Sequence, residues 1–426
     1  MRIWILCTGE PVPFLAEEAG KRFLRAGKLA QYLHQQGHEV IWWTTRFDHY
    51  GKSFRNVAPN TPVRPDTNGP EIVFLESCGY QRHIGPRRFF DHWQVGRAFR
   101  RLAPLQEKPD VILTSFPLVE LCNETVEYGR KHNVPTILDI RDLWPDVIYE
   151  RLHDKLGISL NGFLVPYERR CKSAFRQADH VIGITKGMKD WCYARFGRPE
   201  QKRAVDGVFR QFKPKPAQAE ISDEATLQYW LGKGIDLNAP VLRCVWSGSL
   251  IIDSDGPTLL RAIEQLPEGI EGELQIIIAG DGSLVPEIKE IAAMHPVLKY
   301  VGWIENTEMN VLLEHSHIGL LCYLDRFDFQ VATPNKVIDY CAAGMRILTN
   351  LTGEVTSLAQ DQDYIVHYTT ADVISLSQTL IRLSEDRKTY SVRSDVARAI
   401  FDKKFNAEHA LPAFEAFLQQ TADAPH

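Results

Sequence analysis

Short apolar runs recur along this chain, and most are followed by an amphipathic stretch with helical spacing. RIWILC (2–7) reads as a first strand. Residues 17–36 then put Ala19, Phe23, Ala26, Leu29, Ala30 and Leu33 on one helical face, with Gly37 at a capping position, and EVIWWTT (39–45) is the next strand. DVILTS (110–115), PTILDI (135–140) and HVIGIT (180–185) continue the series. Strands this apolar need cover on both faces, which is the property of a parallel sheet wrapped by helices.

The pattern breaks at QFKPKPAQAE (211–220), a linker or exposed loop, and then starts again. VLRCVWSG (241–248), ELQIIIAG (273–280), LKYVGW (298–303), IGLLCY (318–323) and MRILTN (345–350) are the second set of strands. Helical spacing fills 257–266, 285–293, 307–314, 334–343 and 371–385, and one more helical pattern runs over 395–420. The expectation is an α/β chain of two Rossmann-like, doubly wound parallel-sheet domains, 1–205 and 206–394, with a helical tail over 395–426. Open parallel sheets bind ligands at the carboxyl ends of their strands. Two such sheets facing across a cleft hold one substrate each, and hinge closure joins them.

The chain has 426 residues, 44% hydrophobic and 24% charged, enough for large cores without disulfides or metals. The net charge of −5 argues against a general nucleic-acid binder. Its distribution is uneven: residues 1–205 hold 31 Lys and Arg against 23 Asp and Glu, and residues 206–426 hold 18 against 31. Eight cysteines lie scattered without metal-ligand spacing and read as buried thiols. MRIWILC is too short for a signal peptide, and no run is long and apolar enough for a membrane helix. A cytoplasmic protein is expected, with contact at the cytoplasmic face of the membrane left open.

VATPNKVIDYCAAGMRIL (331–348) carries the most chemistry. Thr333 reads as an N-cap and Pro334 as the first helical residue. The amides of such a helix start form an anion site. Lys336, in the first turn, is unfavourable to the helix itself and makes sense beside a phosphate. Asp339 has the reach to accept ribose hydroxyls. An ordinary amphipathic helix fits the same spacing. In LDIRDLWPD (138–146), Arg141 and Asp142 follow a strand end, where they face a ligand or form a capping pair; Trp144-Pro145 fits packing as well. Gly9 and Glu10 form a turn after the first strand, open to an acceptor or plain. Gly280 and Gly282 allow close approach of a nucleotide. Glu305 and Asn306 line the base pocket or a solvated loop. Residues 80–101 hold six Arg, including Arg87 and Arg88, against one Asp, interleaved with Phe89, Phe90, Trp93 and Phe99. This suits an anionic lipid surface, a lipid-diphosphate acceptor, or a solvated helix face. Asp253-x-Asp255 reads as a loop rather than a metal motif.

PNKVIDYCAAGMRIL resembles the P-x-K-x-x-E-x-x-A-x-G-x-P element of the family 4 retaining glycosyltransferases, which have the GT-B fold. In order along the chain, the Gly9 loop, RAGKLAQYLHQQGHEVIWWTT, LDIRDLWPD, WSGSL (246–250), IIIAGDGSLVPEI (276–288) and VGWIENTEM (301–309) resemble further blocks of that family, LDIRDLWPD those of bacterial O-antigen and capsule transferases. The resemblance implies a transferase moving a hexose-type sugar from a nucleotide-diphosphate sugar, UDP-sugars favoured, to a glycan or lipid-linked acceptor in cell-surface polysaccharide biosynthesis. It implies front-face displacement, no metal or other cofactor, and a C-terminal helix returning to the N-terminal domain. It assigns Gly248, Ser249, Gly280, Gly282, Glu305, Pro334, Asn335, Lys336 and Asp339 to the donor, and Gly9, Glu10, Arg87 and Arg88 to the acceptor. Arg141, Asp142 and Lys336 are the catalytic candidates. Two departures stand out. The family's second Glu is Asp339 here, and its first would fall at Val331, with Asp328 nearby but out of register. A non-hydrolysing UDP-sugar epimerase and a non-catalytic nucleotide-sugar-binding subunit are the rival readings.

Overall fold

The computed structural model describes residues 1–64, 69–82, 85–156, 164–216, 224–251, 254–359 and 363–424, side chains of 154–156 excepted. The chain forms two compact units, residues 1–211 with 410–426, and residues 212–409. Unit 1 extends to Gln211 rather than ending at 205 because the intervening residues are tied to it. Asp206 accepts the Val181 amide at 2.7 Å, and the Arg210 carbonyl accepts from Arg25 at 2.6 Å.

Unit 1 holds β1 (Arg2–Leu6), β2 (Glu39–Thr45), β3 (Phe47–Asp48), β4 (Ser53–Phe54), β5 (Pro62–Val63), β6 (Glu71–Leu75), β7 (Val111–Phe116), β8 (Thr136–Ile140), β9 (His180–Gly183) and β10 (Gly207–Val208). Eight of them form one sheet in the order β10-β9-β8-β7-β1-β2-β6-β5, parallel throughout except for β5 against β6; β3 and β4 make a separate hairpin. The order reverses between β1 and β7, so the ligand crevice expected of such a sheet lies at the carboxyl ends of these two strands. Trp4, Trp42 and Trp43 are fully buried on the two faces. At about 25 cal/mol per Å² and roughly 200 Å² per ring, each contributes about 5 kcal/mol of transfer free energy.

The helix expected over 17–36 starts only at Arg25 and runs to Gln35; Ala16–Glu18 form a separate 3₁₀ turn. Tertiary contacts override the periodicity here. The Glu18 carboxylate leaves any helical register to accept the Val12 amide at 2.5 Å and pair with Arg55 at 2.9 Å. The tail expected over 395–420 is two helices, Asp395–Lys404 and Ala407–Asp423, divided where the Asn406 side chain accepts the Glu408 amide at 3.0 Å. From residue 410 onward the last helix belongs to unit 1. Phe414 and Leu418 are buried in that unit's core, and Glu415 accepts from Tyr32 at 2.8 Å.

Unit 2 holds β11 (Leu242–Ser249), β12 (Leu274–Asp281), β13 (Leu298–Gly302), β14 (Ile318–Leu321), β15 (Arg346–Thr349) and β16 (Ile365–His367). They form an all-parallel sheet ordered β13-β12-β11-β14-β15-β16, which reverses between β11 and β14. All eight cysteines are free thiols and seven are buried. No helix among the described residues is long and apolar enough to cross a membrane.

Candidate functional site

In unit 2 the chemistry gathers where the strand order reverses. β11 and β12 run in register with Gly248 opposite Gly280 and Ser249 opposite Asp281. Gly280 has φ +140°, and a Cβ there would stand 1.9 Å from the Gly248 carbonyl oxygen. Gly282 has φ +154°, and its Cβ would stand 2.2 Å from the Leu250 carbonyl oxygen. These glycines therefore admit the neighbouring strand, and the close approach seen here is to backbone. Gly248 and Ser249 are exposed at the end of β11.

Lys336 lies beside them. A Cβ on Gly248 would sit 3.9 Å from its Cε. Its ammonium is 5.8 Å from the Trp246 ring of β11 and 5.3 Å from the ring of Tyr323, just after β14. Burial pushes its pKa down to about 8, with Cys322 slightly opposing, and no carboxylate among the described residues pairs with it. It belongs to the first turn of the Asn335–Ala342 helix. Pro334, not Thr333, is the N-cap, and no side chain caps this helix. The Thr333 hydroxyl is buried with no hydrogen-bond partner among the described residues. Fixed mounting comes from Tyr340, whose hydroxyl donates to the Val245 carbonyl at 3.0 Å and whose ring lies against Gly319, where a Cβ would come within 2.1 Å.

The other donor candidates diverge from expectation. Asp339 holds an ion pair with Lys213 at 2.7 Å, so its carboxylate is not presented unengaged. Asn335 and Glu305 are exposed, Glu305 at the N-cap of the Asn306–Glu314 helix without capping it. Val331 ends the short Phe327–Val331 helix, and the nearby Asp328 is paired with Arg326 at 2.7 Å. Asp255 is buried, accepting from Thr258 at 2.6 Å and Tyr368 at 2.7 Å, and Asp253 lies outside the described residues.

In unit 1 the reversal point is occupied by four charges. Arg141 donates to Glu10 at 2.7 Å and approaches Asp139 at 3.5 Å, and Arg25 pairs with Asp139 at 3.0 Å. Arg141 also touches Cys7 at 3.0 Å and Ser115 at 3.5 Å, from the ends of β1 and β7. Burial pushes the Cys7 thiol up to about 12, with Glu10 adding, so it stays protonated. Glu10 was expected to face an acceptor. It is buried and accepts the Ala26 amide at 3.0 Å and the Gly27 amide at 3.2 Å, capping the Arg25–Gln35 helix where its dipole favours an anion. Arg141 is likewise committed to neighbouring carboxylates. Asp142 accepts the Leu143 amide at 2.8 Å. Gly9 has φ +84° in the adjoining turn. Arg87 is held by the Gly79 carbonyl at 2.9 Å and the Cys78 carbonyl at 3.1 Å. Arg88 stacks over Trp144 at 4.4 Å, so Trp144 is a packing partner. Arg25, Asp139 and Lys213 were not singled out as site residues; the Arg25–Asp139 and Lys213–Asp339 pairs join residues 114 and 126 positions apart.

A sequence model of the family described as glycosyl transferase 4-like domain matches residues 24–205. No curated protein matches the chain at a significant level. Among solved structures, sucrose-phosphate synthase from Thermosynechococcus elongatus is similar at 13% identity and TM-score 0.69, covering 98% of each chain. Anabaena HepE in complex with UDP-glucose is similar at 13% identity and TM-score 0.60, over 99% of this chain and 100% of the other. An E. coli structure, described as trehalose-6-phosphate bound with UDP-2-fluoro glucose, is similar at 12% identity and TM-score 0.68, over all of both chains. The chain is thus similar to glycosyl transferase 4-like domains over residues 24–205, and it has the GT-B fold of these solved structures.

Proposed function

We propose that the protein is a retaining glycosyltransferase that moves a sugar from a nucleotide-diphosphate sugar to a glycan or lipid-linked acceptor in cell-surface polysaccharide biosynthesis. The observation that carries this is Lys336, a half-buried cation with no carboxylate partner among the described residues, beside exposed Gly248 backbone at the reversal point of unit 2. A diphosphate supplies the counter-charge that its surroundings lack. Unit 2 then takes the donor and unit 1 the acceptor. Lys336 offsets the charge that grows on the leaving diphosphate, a role that positions and stabilises rather than reacts. Asp339 holds the donor ribose once Lys213 yields to it. Glu10, Arg25 and Asp139 position Arg141 and Asp142 at the acceptor. UDP-sugars come first because the HepE and E. coli structures contain UDP-glucose and UDP-2-fluoro glucose. The reading needs no metal, so EDTA dialysis is expected to leave turnover unchanged.

Phe90 and Trp93 are exposed and stacked at 5.4 Å on the Pro86–Leu102 helix, with exposed Arg87, Arg97, Arg100 and Arg101. These residues support a peripheral contact of that helix with an anionic membrane face.

The test is thermal unfolding with UDP-, GDP-, ADP- and dTDP-sugars, since a ligand that binds only the folded chain raises its midpoint. One nucleotide is expected to stabilise wild type and to lose its effect in Lys336→Ala. No shift with any of them refutes the reading. A non-catalytic nucleotide-sugar-binding subunit is the second reading, favoured by Val331 standing where the family has Glu. It predicts the same shift with no sugar release or transfer.

A further inference from the structure

β2 of unit 1 leads into a hairpin whose tip, residues 49–52, joins β3 to β4. Asp48 fixes the tip: it accepts the Tyr50 amide at 2.9 Å and the Lys21 ammonium at 3.2 Å. Lys52 closes it at φ +52°, a conformation costly for a residue with a Cβ. This brings the Lys52 ammonium 4.9 Å from the Tyr80 ring centroid. There its Nζ is buried, with no hydrogen-bond acceptor among the described residues.

A second cation shares the ring. The Arg88 guanidinium lies 5.2 Å from the Tyr80 centroid. Burial, and then repulsion from Arg88, lower the Lys52 pKa, with Asp48 partly opposing. Two nearby carboxylates are committed elsewhere. Asp48 serves the loop and Lys21, and buried Asp91 accepts the Ser77 hydroxyl at 2.5 Å and the Gly79 amide at 2.8 Å. His92 is pushed down to about 3 by burial, with Arg88 and His49 adding, so it stays neutral. The Tyr80 hydroxyl lies 2.6 Å from His49 Nδ1.

All these residues follow carboxyl ends of sheet strands: His49 and Lys52 follow β2, and Tyr80 and Arg88 follow β6. They adjoin the Gly9 turn after β1, where an added Cβ would stand 3.5 Å from His49 Cβ. That is the end of a parallel sheet at which ligands bind. Arg88 donates to His92 Nε2 at 3.4 Å, whereas the dehydrated Lys52 ammonium is unfavourable until an anion joins it.

We propose that Lys52 and Arg88, packed on the Tyr80 ring, form a subsite for a phosphate group on the acceptor substrate. The inference rests on the reading that unit 1 takes the acceptor. Lysine supplies a point charge and arginine a planar fork, and a phosphate dianion balances both. A soluble sugar phosphate and a lipid-linked diphosphate present the same chemistry.

The test is calorimetric titration of the full chain with glucose 6-phosphate and, separately, farnesyl diphosphate, each with and without saturating UDP, and with glucose as the uncharged control. One of the two phosphates is expected to bind one-to-one. Lys52→Met and Arg88→Gln are expected to weaken it at least tenfold, while Lys52→Arg retains it within about threefold. Binding of glucose 6-phosphate alone identifies a soluble acceptor, and of farnesyl diphosphate alone a lipid-linked one. If neither binds wild type, or Lys52→Met binds as wild type does, the subsite is refuted. UDP affinity is read separately on the same proteins. Loss of UDP binding with phosphate binding intact overturns the donor reading and leaves the subsite standing; the converse overturns the subsite alone.

Discussion

Replacing Lys336 with methionine keeps the side chain's length and removes its charge. The free-state pKa of about 8, against 10.5 ordinarily, means that folding holds this ammonium at a cost. At 1.36 kcal/mol per unit the shift corresponds to about 3 kcal/mol, trimmed by the solvent that reaches a half-buried side chain. The sign follows from proton counting. Below pH 8 the lysine is charged both folded and unfolded, and wild type bears the whole cost. Between about 8 and 10.5 the folded state releases its proton first, so the cost fades as pH rises. Lys336→Met is therefore expected to be no less stable than wild type at pH 7, with its advantage vanishing toward pH 10.5. Diphosphate binding runs the other way. A hydrogen bond to a charged group is worth about 1.5–3 kcal/mol, or about 10- to 150-fold in Kd. The variant is expected to bind UDP that much more weakly at pH 7. Wild-type affinity should hold to about pH 8 and fall above it as the ammonium deprotonates, while the variant's profile stays flat. Calorimetry with UDP between pH 7 and 9.5 measures both. A variant that binds UDP within threefold of wild type at pH 7 would refute the reasoning, as would a flat wild-type profile.

Gly280→Ala is expected to yield little folded protein, because its Cβ would meet the Gly248 carbonyl at 1.9 Å; circular dichroism and expression yield report this. Glu10→Ala leaves a buried guanidinium and a helix start without their shared carboxylate, and is expected to cost about 3–5 kcal/mol in urea unfolding. A loss under 1 kcal/mol would mean that the charges at this site are not coupled. Asp339→Asn is expected to weaken UDP binding about tenfold, the energy of one charge-assisted bond, whereas Lys213→Met leaves it unchanged or tighter. Equal losses in the two variants would make the pair structural.

The two largely parallel sheets were legible because the buried centres of strands, such as 40–43 and 276–279, are written as unbroken apolar runs. Short edge elements such as Pro62–Val63 and Ile365–His367 carry no such signal, since two or three residues cannot establish a period. The start of the first helix was misplaced because its N-cap, Leu24, gives no capping signal and its first-turn amides are satisfied by Glu10, 16 positions away in sequence from Ala26. The same reason limited the site. Lys336 could be found, since its oddity is local: a cation in a first helical turn. The engagement of Asp339 by Lys213, and of Arg141 by Glu10, is set by folding over distances of 126 and 131 residues. Nor does spacing disclose the left-handed Lys52, as no glycine marks that position.

The four charges at the reversal point of unit 1 have a consequence for how this sequence can drift. Glu10 and Asp139 balance Arg25 and Arg141, and all four side chains are largely withdrawn from water. Losing any one strands an opposite charge in a place that cannot solvate it, so single substitutions are closed off. Paired replacement by apolar or neutral residues of like volume is not. Related chains should therefore carry this set whole or lack it in complementary pairs, and a double substitution at 10 and 141 should be milder than either single one.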